Sequence, residues 1–173
     1  METIKAIKTR RAIRKFKADQ VDSGLLDIVL EAGTYSPTGK GLQSPQIVVV
    51  QDEETKAKLR RMNAAIWGKG EDVDPYFGAP TIILVLAPSD VTTWIEDASC
   101  VLTCMMLAAH DIGLASVWIH RERQMFQSAE GKELLEKWGL PDSLEGVGSI
   151  ALGYSAVDLP QAAPRREGYI LKV

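Results

Sequence analysis

A continuous apolar stretch in the middle of the chain constrains the fold more than any other feature. Residues 81–87 read Thr-Ile-Ile-Leu-Val-Leu-Ala, which is rich in β-branched side chains and carries no charge. Continuous apolarity of this kind is typical of a strand that is buried on both faces. The stretch therefore predicts a central strand in a sheet that has helices packed on it.

The remaining segments predict an α+β domain. Extended runs predict further strands at residues 46–50, 114–119 and 147–154, with a brief extended segment at 12–16. Helical patterns occupy residues 2–8, 23–35, 52–65, 93–111 and 129–138, and Asp22 or Ser23 caps the second helix. The order is not a regular βαβ alternation, because two helices precede the first clear strand. A chain of 173 residues fits one domain covering residues 1–173.

The longest predicted helix is apolar around most of its circumference. Its apolar side chains include Val101, Leu102, Met105, Met106, Ala108 and Ala109. A helix of this kind lies in the centre of a core or in an interface between subunits. The sequence leaves both possibilities open.

Composition excludes several classes of function. The net charge is only −3, from 20 basic and 23 acidic residues, which argues against a surface that coats nucleic acid. Cys100 and Cys104 lie four residues apart on the longest predicted helix, with His110 six residues further on; this spacing does not match a usual zinc site, so no metal is expected. The N-terminus lacks the apolar run of a signal peptide, and no stretch is long enough to span a membrane, so we expect a cytoplasmic protein.

One motif imitates a dinucleotide fingerprint. Residues 146–151 match G-x-G-x-x-A, but no strand precedes them, and the segment itself continues as a predicted strand. We therefore interpret these glycines as the beginning of a strand.

Positive charge is concentrated near the N-terminus. Seven basic residues share this short segment with one acid: Lys5, Lys8, Arg10, Arg11, Arg14, Lys15 and Lys17. An extended backbone would direct Arg10 and Arg14 to one side and Arg11 to the other. Arginine suits a phosphate, and Arg165 with Arg166 could supply the second half of such a site. The alternative is an ordinary solvated surface.

Ordered segments along nearly the whole chain resemble the nitroreductase family of FMN-dependent oxidoreductases, in a short-chain form. The signature opens with Arg-Arg-Ala-Ile-Arg-Lys-Phe at residues 10–16. It continues through residues 35–45, 74–80, 96–98, 108–121, 152–154 and 163–166. Many members of the family have Ser at the position of Ala12 and Asn at the position of Gly41. Longer members are Gly-rich where this chain has His120 and Arg121.

The resemblance implies a three-layer fold, with a central mixed but mainly antiparallel sheet of four to five strands. It also implies an intertwined homodimer with one FMN in each of two interface clefts. Arg10 and Arg14 would hold the phosphate and ribityl chain beside Arg11 and Ala12, and Arg165 and Arg166 would complete the phosphate clamp. Five residues would pack on the flavin ring from the partner subunit: Pro37, Thr38, Gly39, Gly41 and Gln43. The backbone of Ile119, His120 and Arg121 would approach flavin N5, and Asn63 would reach the ring.

The implied activity is reduction of nitroaromatics, quinones or related acceptors by NAD(P)H in a ping-pong cycle. A flavin carries the hydride itself, so no catalytic side chain is required. One alternative is a non-catalytic FMN-binding sensor or carrier, which the differences at Ala12, Gly41 and His120 leave open. Another is an anion-binding or nucleic-acid module without flavin, built on the basic segment. The sequence selects neither the acceptor nor NADH over NADPH.

Overall fold

The computed structural model describes residues 2–70 and 72–173. Six α-helices and four strands lie in these ranges. They are, in chain order, α1 (Thr3–Thr9), α2 (Ser23–Thr34), β1 (Gln46–Val50), α3 (Glu53–Trp67), β2 (Thr81–Pro88), α4 (Trp94–Asp111), β3 (Ala115–Ile119), α5 (Glu122–Gln127), α6 (Ala129–Lys137) and β4 (Leu144–Gly153).

The strands form one antiparallel sheet in the order β1-β2-β4-β3. The register pairs Val48 with Leu84, Ile83 with Ile150, and Val117 with Ala151. Every residue from 81 to 87 is 0% exposed, which confirms the prediction of a strand buried on both faces. Among the described residues, parallel pairing is limited to an isolated bridge between Ala12 and Ser116 of β3, and the four strands themselves pair antiparallel.

Helices cover both faces of the sheet, as the alternation along β2 requires. Ile82, Leu84 and Leu86 belong to one core cluster, which contains side chains of α3, α5 and α6. Ile83 and Val85 belong to the other cluster, with side chains of α2 and α4. These three layers confirm the α+β fold expected from the sequence.

Helix boundaries follow capping chemistry closely. The Asp22 carboxylate accepts from the backbone N–H groups of Gly24 and Leu25, so Asp22 is the cap of α2. Asp52 caps α3 in the same way through Thr55 N–H. The sequence analysis missed α5, because six residues are too short to show helical periodicity.

The glycines at 146 and 148 lie inside β4 and permit close packing. A Cβ atom at Gly146 would overlap the backbone of Glu122, and one at Gly148 would meet the Trp118 indole at 2.7 Å. The strand register shifts beside them, between Val85 and Leu86 of β2. Their position within a strand confirms that they are not a dinucleotide-binding turn.

Helix α4 is only partly covered by its own chain. Its buried side is formed by Asp97, Ala98, Val101, Leu102, Met105, Met106 and Ala109. Thr103 is exposed, and Cys100 and Cys104 are half-buried. No helix in the described ranges is long and apolar enough to cross a membrane.

Candidate functional site

A cleft of about 210 Å³ lies where the basic N-terminal segment meets the end of α4 and the start of β3. The segment is fixed there by the bridge from Ala12 to Ser116, and Ile13 N–H donates to the Ser116 carbonyl at 3.1 Å. The lining residues include Arg10, Arg11, His110, Leu114, Ser116 and Ser155. Local pairing with β3 therefore brings two adjacent arginines to one cavity.

The cleft is electropositive. Neither Arg10 nor Arg11 makes an ion pair with any residue that the structure describes. Burial, and then the charge of Arg11, lower the pKa of Arg10. Arg11 Nη1 donates to the Lys8 and Arg10 carbonyls at 2.9 and 2.6 Å, while its buried Nε has no partner in the described ranges. Two crowded guanidiniums of this kind fit an anion such as a phosphate.

His110 adds a third polar group to this cleft. Its Nε2 lies 2.8 Å from Thr9 Oγ1. Burial, followed by the charges of Arg10 and Arg11, lowers the pKa of His110. The imidazole therefore favours its neutral form until an anion enters the cleft.

The other predicted phosphate residues lie elsewhere within one chain. Arg14 is exposed, with its guanidinium carbon 6.0 Å from the centre of the Phe77 ring. Arg165 donates to the Ala163 carbonyl, and Arg166 lies 5.4 Å from the Tyr169 ring centre, both in the exposed C-terminal tail. The structure thus brings together Arg10 and Arg11 but places none of these three in the cleft lining.

The loop at residues 37–43 is anchored to the first turn of α4. Gly39 N–H donates to Asp97 Oδ1 at 2.9 Å, and Thr93 Oγ1 donates to Asp97 Oδ2 at 3.1 Å. A Cβ atom at Gly39 would overlap the Thr93 hydroxyl, so glycine allows this close approach. Gln43 N–H donates to Thr38 Oγ1 at 3.0 Å and closes the loop. Pro37 and Gly41 lie at its exposed outer side.

The arginine cleft and this loop lie at opposite ends of α4. His110 stands in the last turn of the helix and Asp97 in the first. At about 1.5 Å per residue, the 13 residues from Asp97 to His110 span about 20 Å. The loop and the arginine cleft are therefore separate regions of one chain.

The turn at residues 119–121 follows the end of β3. Ile119 is buried, and His120 is exposed beside Trp94 and Arg123. Arg121 has a φ of 92°, a rare conformation for a residue other than glycine. Its guanidinium carbon lies 4.5 Å from the centre of the Trp67 ring.

Asn63 holds this turn from α3. Its side chain is 0% exposed. Its Nδ2 donates to the His120 carbonyl at 2.9 Å, while its Oδ1 accepts from Arg121 Nε at 2.9 Å. The structure therefore gives Asn63 a role in shaping the turn, and the direct contact with the flavin ring stays a prediction.

A buried carboxyl group beneath the turn was missed in the sequence analysis. Glu122 is 0% exposed, and its Oε1 accepts from Ser149 Oγ at 2.5 Å and from Tyr76 OH at 3.3 Å. Its Oε2 is buried and has no partner among the described residues. Burial is the main cause that raises the pKa of Glu122 to about 7. The one available signal was Ser149, a polar residue inside an otherwise apolar strand.

Solved structures share this arrangement of elements. The structure superposes on a nitroreductase with bound FMN from Bacteroides fragilis at a TM-score of 0.90, with 28% identity, over 100% of this chain and 99% of that one. An FMN-dependent nitroreductase from Clostridium difficile gives a TM-score of 0.74 and 30% identity, covering 96% and 94% of the two chains.

Sequence comparisons point to the same kind of protein as the solved structures. A Thermus thermophilus protein named NADH dehydrogenase is 31% identical over 148 residues, which are 84% of this chain and 62% of that protein. The model of the nitroreductase family matches residues 7–154, which is most of the chain and includes Arg10, Arg11 and the turn at residues 119–121. The chain therefore belongs to the nitroreductase family.

Proposed function

We propose that the protein is an FMN-dependent oxidoreductase that transfers electrons from NAD(P)H to a small acceptor such as a nitroaromatic compound or a quinone. The observation that carries the proposal is the pair of guanidiniums, Arg10 and Arg11, which line the cleft at the start of β3 and make no ion pair with a described residue. The alternative of a flavin-binding protein without turnover has no support of its own in the geometry.

The polar groups of the cleft suit the phosphate of FMN. Arg10, Arg11 and Ser116 line it, and a phosphate would offset the burial and the charge of Arg11 that lower the pKa of Arg10. Ser116 is the second residue of β3, and the turn at 119–121 follows the last one. A ligand with a phosphate at one end and a planar ring at the other would extend along this strand, with its ring beside Ile119 and His120.

A bound flavin would supply the hydride chemistry, so the chain itself has to bind the flavin, orient it and shield it from solvent. The turn at residues 119–121 offers backbone polar groups held by Asn63. The exposed indole of Trp67 and the Arg121 guanidinium above it border this turn. No catalytic histidine is assigned, because neither histidine is needed as a general base.

A homodimer with FMN at the interface accounts for two further features. Asp97, which anchors the loop at residues 37–43, is about 20 Å along α4 from His110 in the arginine cleft, so the loop would reach a flavin bound mainly by the partner subunit. The exposed or half-buried side of α4, with Cys100, Thr103 and Cys104, offers small side chains for close helix packing. The exposed tail would carry Arg165 and Arg166 to the phosphate of the FMN that is bound mainly by the partner subunit.

The relatives support the cofactor and the donor. The B. fragilis structure contains FMN, and the Thermus thermophilus protein is named for oxidation of NADH. The choice of acceptor and a cytoplasmic location stay predictions from the sequence.

Steady-state kinetics of the FMN-loaded protein test the proposed activity. Initial rates are measured with NADH or NADPH at several fixed concentrations of a quinone and of a nitroaromatic acceptor. A ping-pong cycle predicts parallel lines in double-reciprocal plots. Intersecting lines would contradict the ping-pong order, and an absence of turnover with either donor would contradict the oxidoreductase assignment.

A further inference from the structure

The turn at residues 119–121 rests on a cluster of buried polar side chains. Glu122, Tyr76 and Asn63 are each 0% exposed, and so is Ser149. They come from four separate parts of the chain: α5, the loop before β2, α3 and β4. Buried polar groups are costly unless they are bonded, so a cluster shared by four segments fixes their relative positions.

We infer that Glu122 is a positioning residue for the turn at 119–121, that it acts as an uncharged carboxylic acid, and that its ionisation weakens FMN binding. The inference rests on the proposed function for its FMN component. It goes further by naming a residue that acts on the flavin pocket from inside the core.

The surroundings of Glu122 favour the uncharged form. Its Oε1 accepts from the hydroxyls of Ser149 and Tyr76, while its Oε2 is buried without a partner in the described ranges. The neighbouring cation, Arg121, directs its Nε to Asn63. An ionised carboxylate would therefore sit in the core beside Met125 and Phe126 with two neutral donors and an unsatisfied oxygen.

The groups that face this carboxyl make its titration relevant near neutral pH. Burial raises its pKa to about 7 and outweighs the hydrogen bonds from Ser149, from the Glu122 backbone and from Tyr76 and the charge of Arg121, all of which lower it. The α3 neighbour, Asn63, carries no charge. Tyr76, from the loop before β2, has its own pKa raised by burial and by Glu122, so it remains a neutral donor.

Ionisation of Glu122 has a direct route to the turn. A buried carboxylate attracts the guanidinium of Arg121, the residue immediately before it. Arg121 is also bonded to Asn63 Oδ1 and stacked on Trp67. Movement of Arg121 toward the carboxylate breaks its hydrogen bond to Asn63 Oδ1. The loss of that bond disturbs the Asn63 amide, whose Nδ2 donates to the His120 carbonyl. The backbone proposed to lie beside the flavin then loses its fixed position.

The first measurement is independent of FMN. Infrared difference spectra of the apoprotein between pH 5 and pH 9 report the C=O stretch of a protonated, buried carboxylic acid. We expect the wild type to lose this band near pH 7, Glu122→Gln to lack it, and the exposed α6 control Glu136→Gln to behave as the wild type. A wild-type spectrum without a titrating band that depends on Glu122 would overturn the inference.

The second measurement is the dissociation constant of FMN from pH 6 to pH 8.5, followed by flavin fluorescence. Relative to Glu122→Gln, the wild type should lose affinity across this range on the order of fivefold, a modest coupling between two sites. Ionisation of the FMN phosphate and of His110 contributes equally to both proteins and cancels in the comparison. Glu136→Gln should follow the wild type.

The outcomes separate this inference from the proposed function. Tight FMN binding with the same pH profile in the wild type and Glu122→Gln would overturn the inference and leave the proposed function standing. Failure of the wild type to bind FMN at every pH would overturn both. If Glu122→Gln is poorly folded, Ser149→Ala provides a second test. Loss of this hydroxyl donor should raise the apparent pKa at which the infrared band disappears and the FMN affinity falls.

Discussion

Asn63 joins α3 to the turn after β3, since its Nδ2 donates to the carbonyl oxygen of His120 at 2.9 Å. The same amide accepts from Arg121 Nε at 2.9 Å, so one side chain satisfies both a backbone carbonyl and a guanidinium. This bond pair lets Arg121 keep a φ of 92°. A buried amide thus fixes the segment that we place beside the flavin.

Replacing Asn63 with Ala should destabilise the protein by about 2 kcal/mol, because it removes the hydrogen bonds to the His120 carbonyl and to Arg121 Nε from a fully buried side chain. Chemical denaturation measures the change. Arg61→Ala, two residues before Asn63 in α3 but exposed and 3.5 Å from Glu130, should change stability by less than about 1 kcal/mol. Equal effects of the two substitutions would contradict the role of Asn63.

Removing the two cleft arginines should release FMN from a folded protein. Each charge-assisted bond to a phosphate contributes about 1.5–3 kcal/mol, so Arg10→Ala with Arg11→Ala should weaken FMN binding about 100-fold or more. Fluorescence titration of the apoprotein gives the affinity, and circular dichroism verifies the fold. Lys17→Ala, an exposed substitution in the same basic segment, is the matched control. Full flavin occupancy in the double variant would refute the phosphate assignment.

Stability should fall as pH rises toward neutrality because of Glu122. Its pKa is about 7 in the folded protein and near 4.5 when unfolded, so the folded state binds the extra proton between these values. The free energy of unfolding should decrease by on the order of 3 kcal/mol from pH 4.5 to pH 7 on this account, relative to Glu122→Gln. The lowered pKa of His110 makes the free energy of unfolding rise with pH, and it does so equally in both proteins. Parallel stability profiles of the two proteins would exclude a buried, titrating Glu122.

Introducing a methyl group at Gly146 should damage the packing of α5 on β4. The new Cβ would overlap backbone atoms of Glu122, which cannot move as a flexible side chain would. We expect Gly146→Ala to cost about 2 kcal/mol or more, as is usual for overpacking in a core. Gly24→Ala in α2, where the nearest atom is the Asp22 carboxylate oxygen at 3.2 Å, serves as the control. A Gly146→Ala protein as stable as the wild type in thermal unfolding would refute this packing.

The exposed side of α4 should carry the dimer contact. Thr103→Arg places a long, charged side chain on this side, and the account expects it to convert a dimer into a monomer. Light scattering coupled to size-exclusion chromatography determines the mass of each species. Glu136→Arg, on the exposed surface of α6, should leave the mass unchanged. A wild-type monomer, or a dimer that tolerates Thr103→Arg, would contradict the proposed interface.

Local rules accounted for most of the fold. The four strands were predictable because β-branched runs mark buried strands, and the capping residues Asp22 and Asp52 fixed two helix starts. Helix α5 was not predictable, since its six residues form a helix only through packing on Gly146 and β4. Pattern alone cannot report such a tertiary contact.

The site was predictable in part. Resemblance to the family pointed to Arg10, Arg11 and residues 119–121, and the structure places the first two in one cleft. The sequence could not reveal that Asn63 is hydrogen-bonded to His120 and Arg121, because these bonds depend on how α3 crosses the turn. The buried environment of Glu122 is likewise a property of four segments that are distant in sequence.

Anaerobic titration of the FMN-loaded protein with NADH and then NADPH tests the central claim most directly. The account predicts that the absorbance of bound oxidised flavin is lost on addition of one equivalent of donor and returns when a quinone is added. Flavin that binds tightly but keeps its oxidised spectrum with both donors would contradict an oxidoreductase and support a non-catalytic flavin protein.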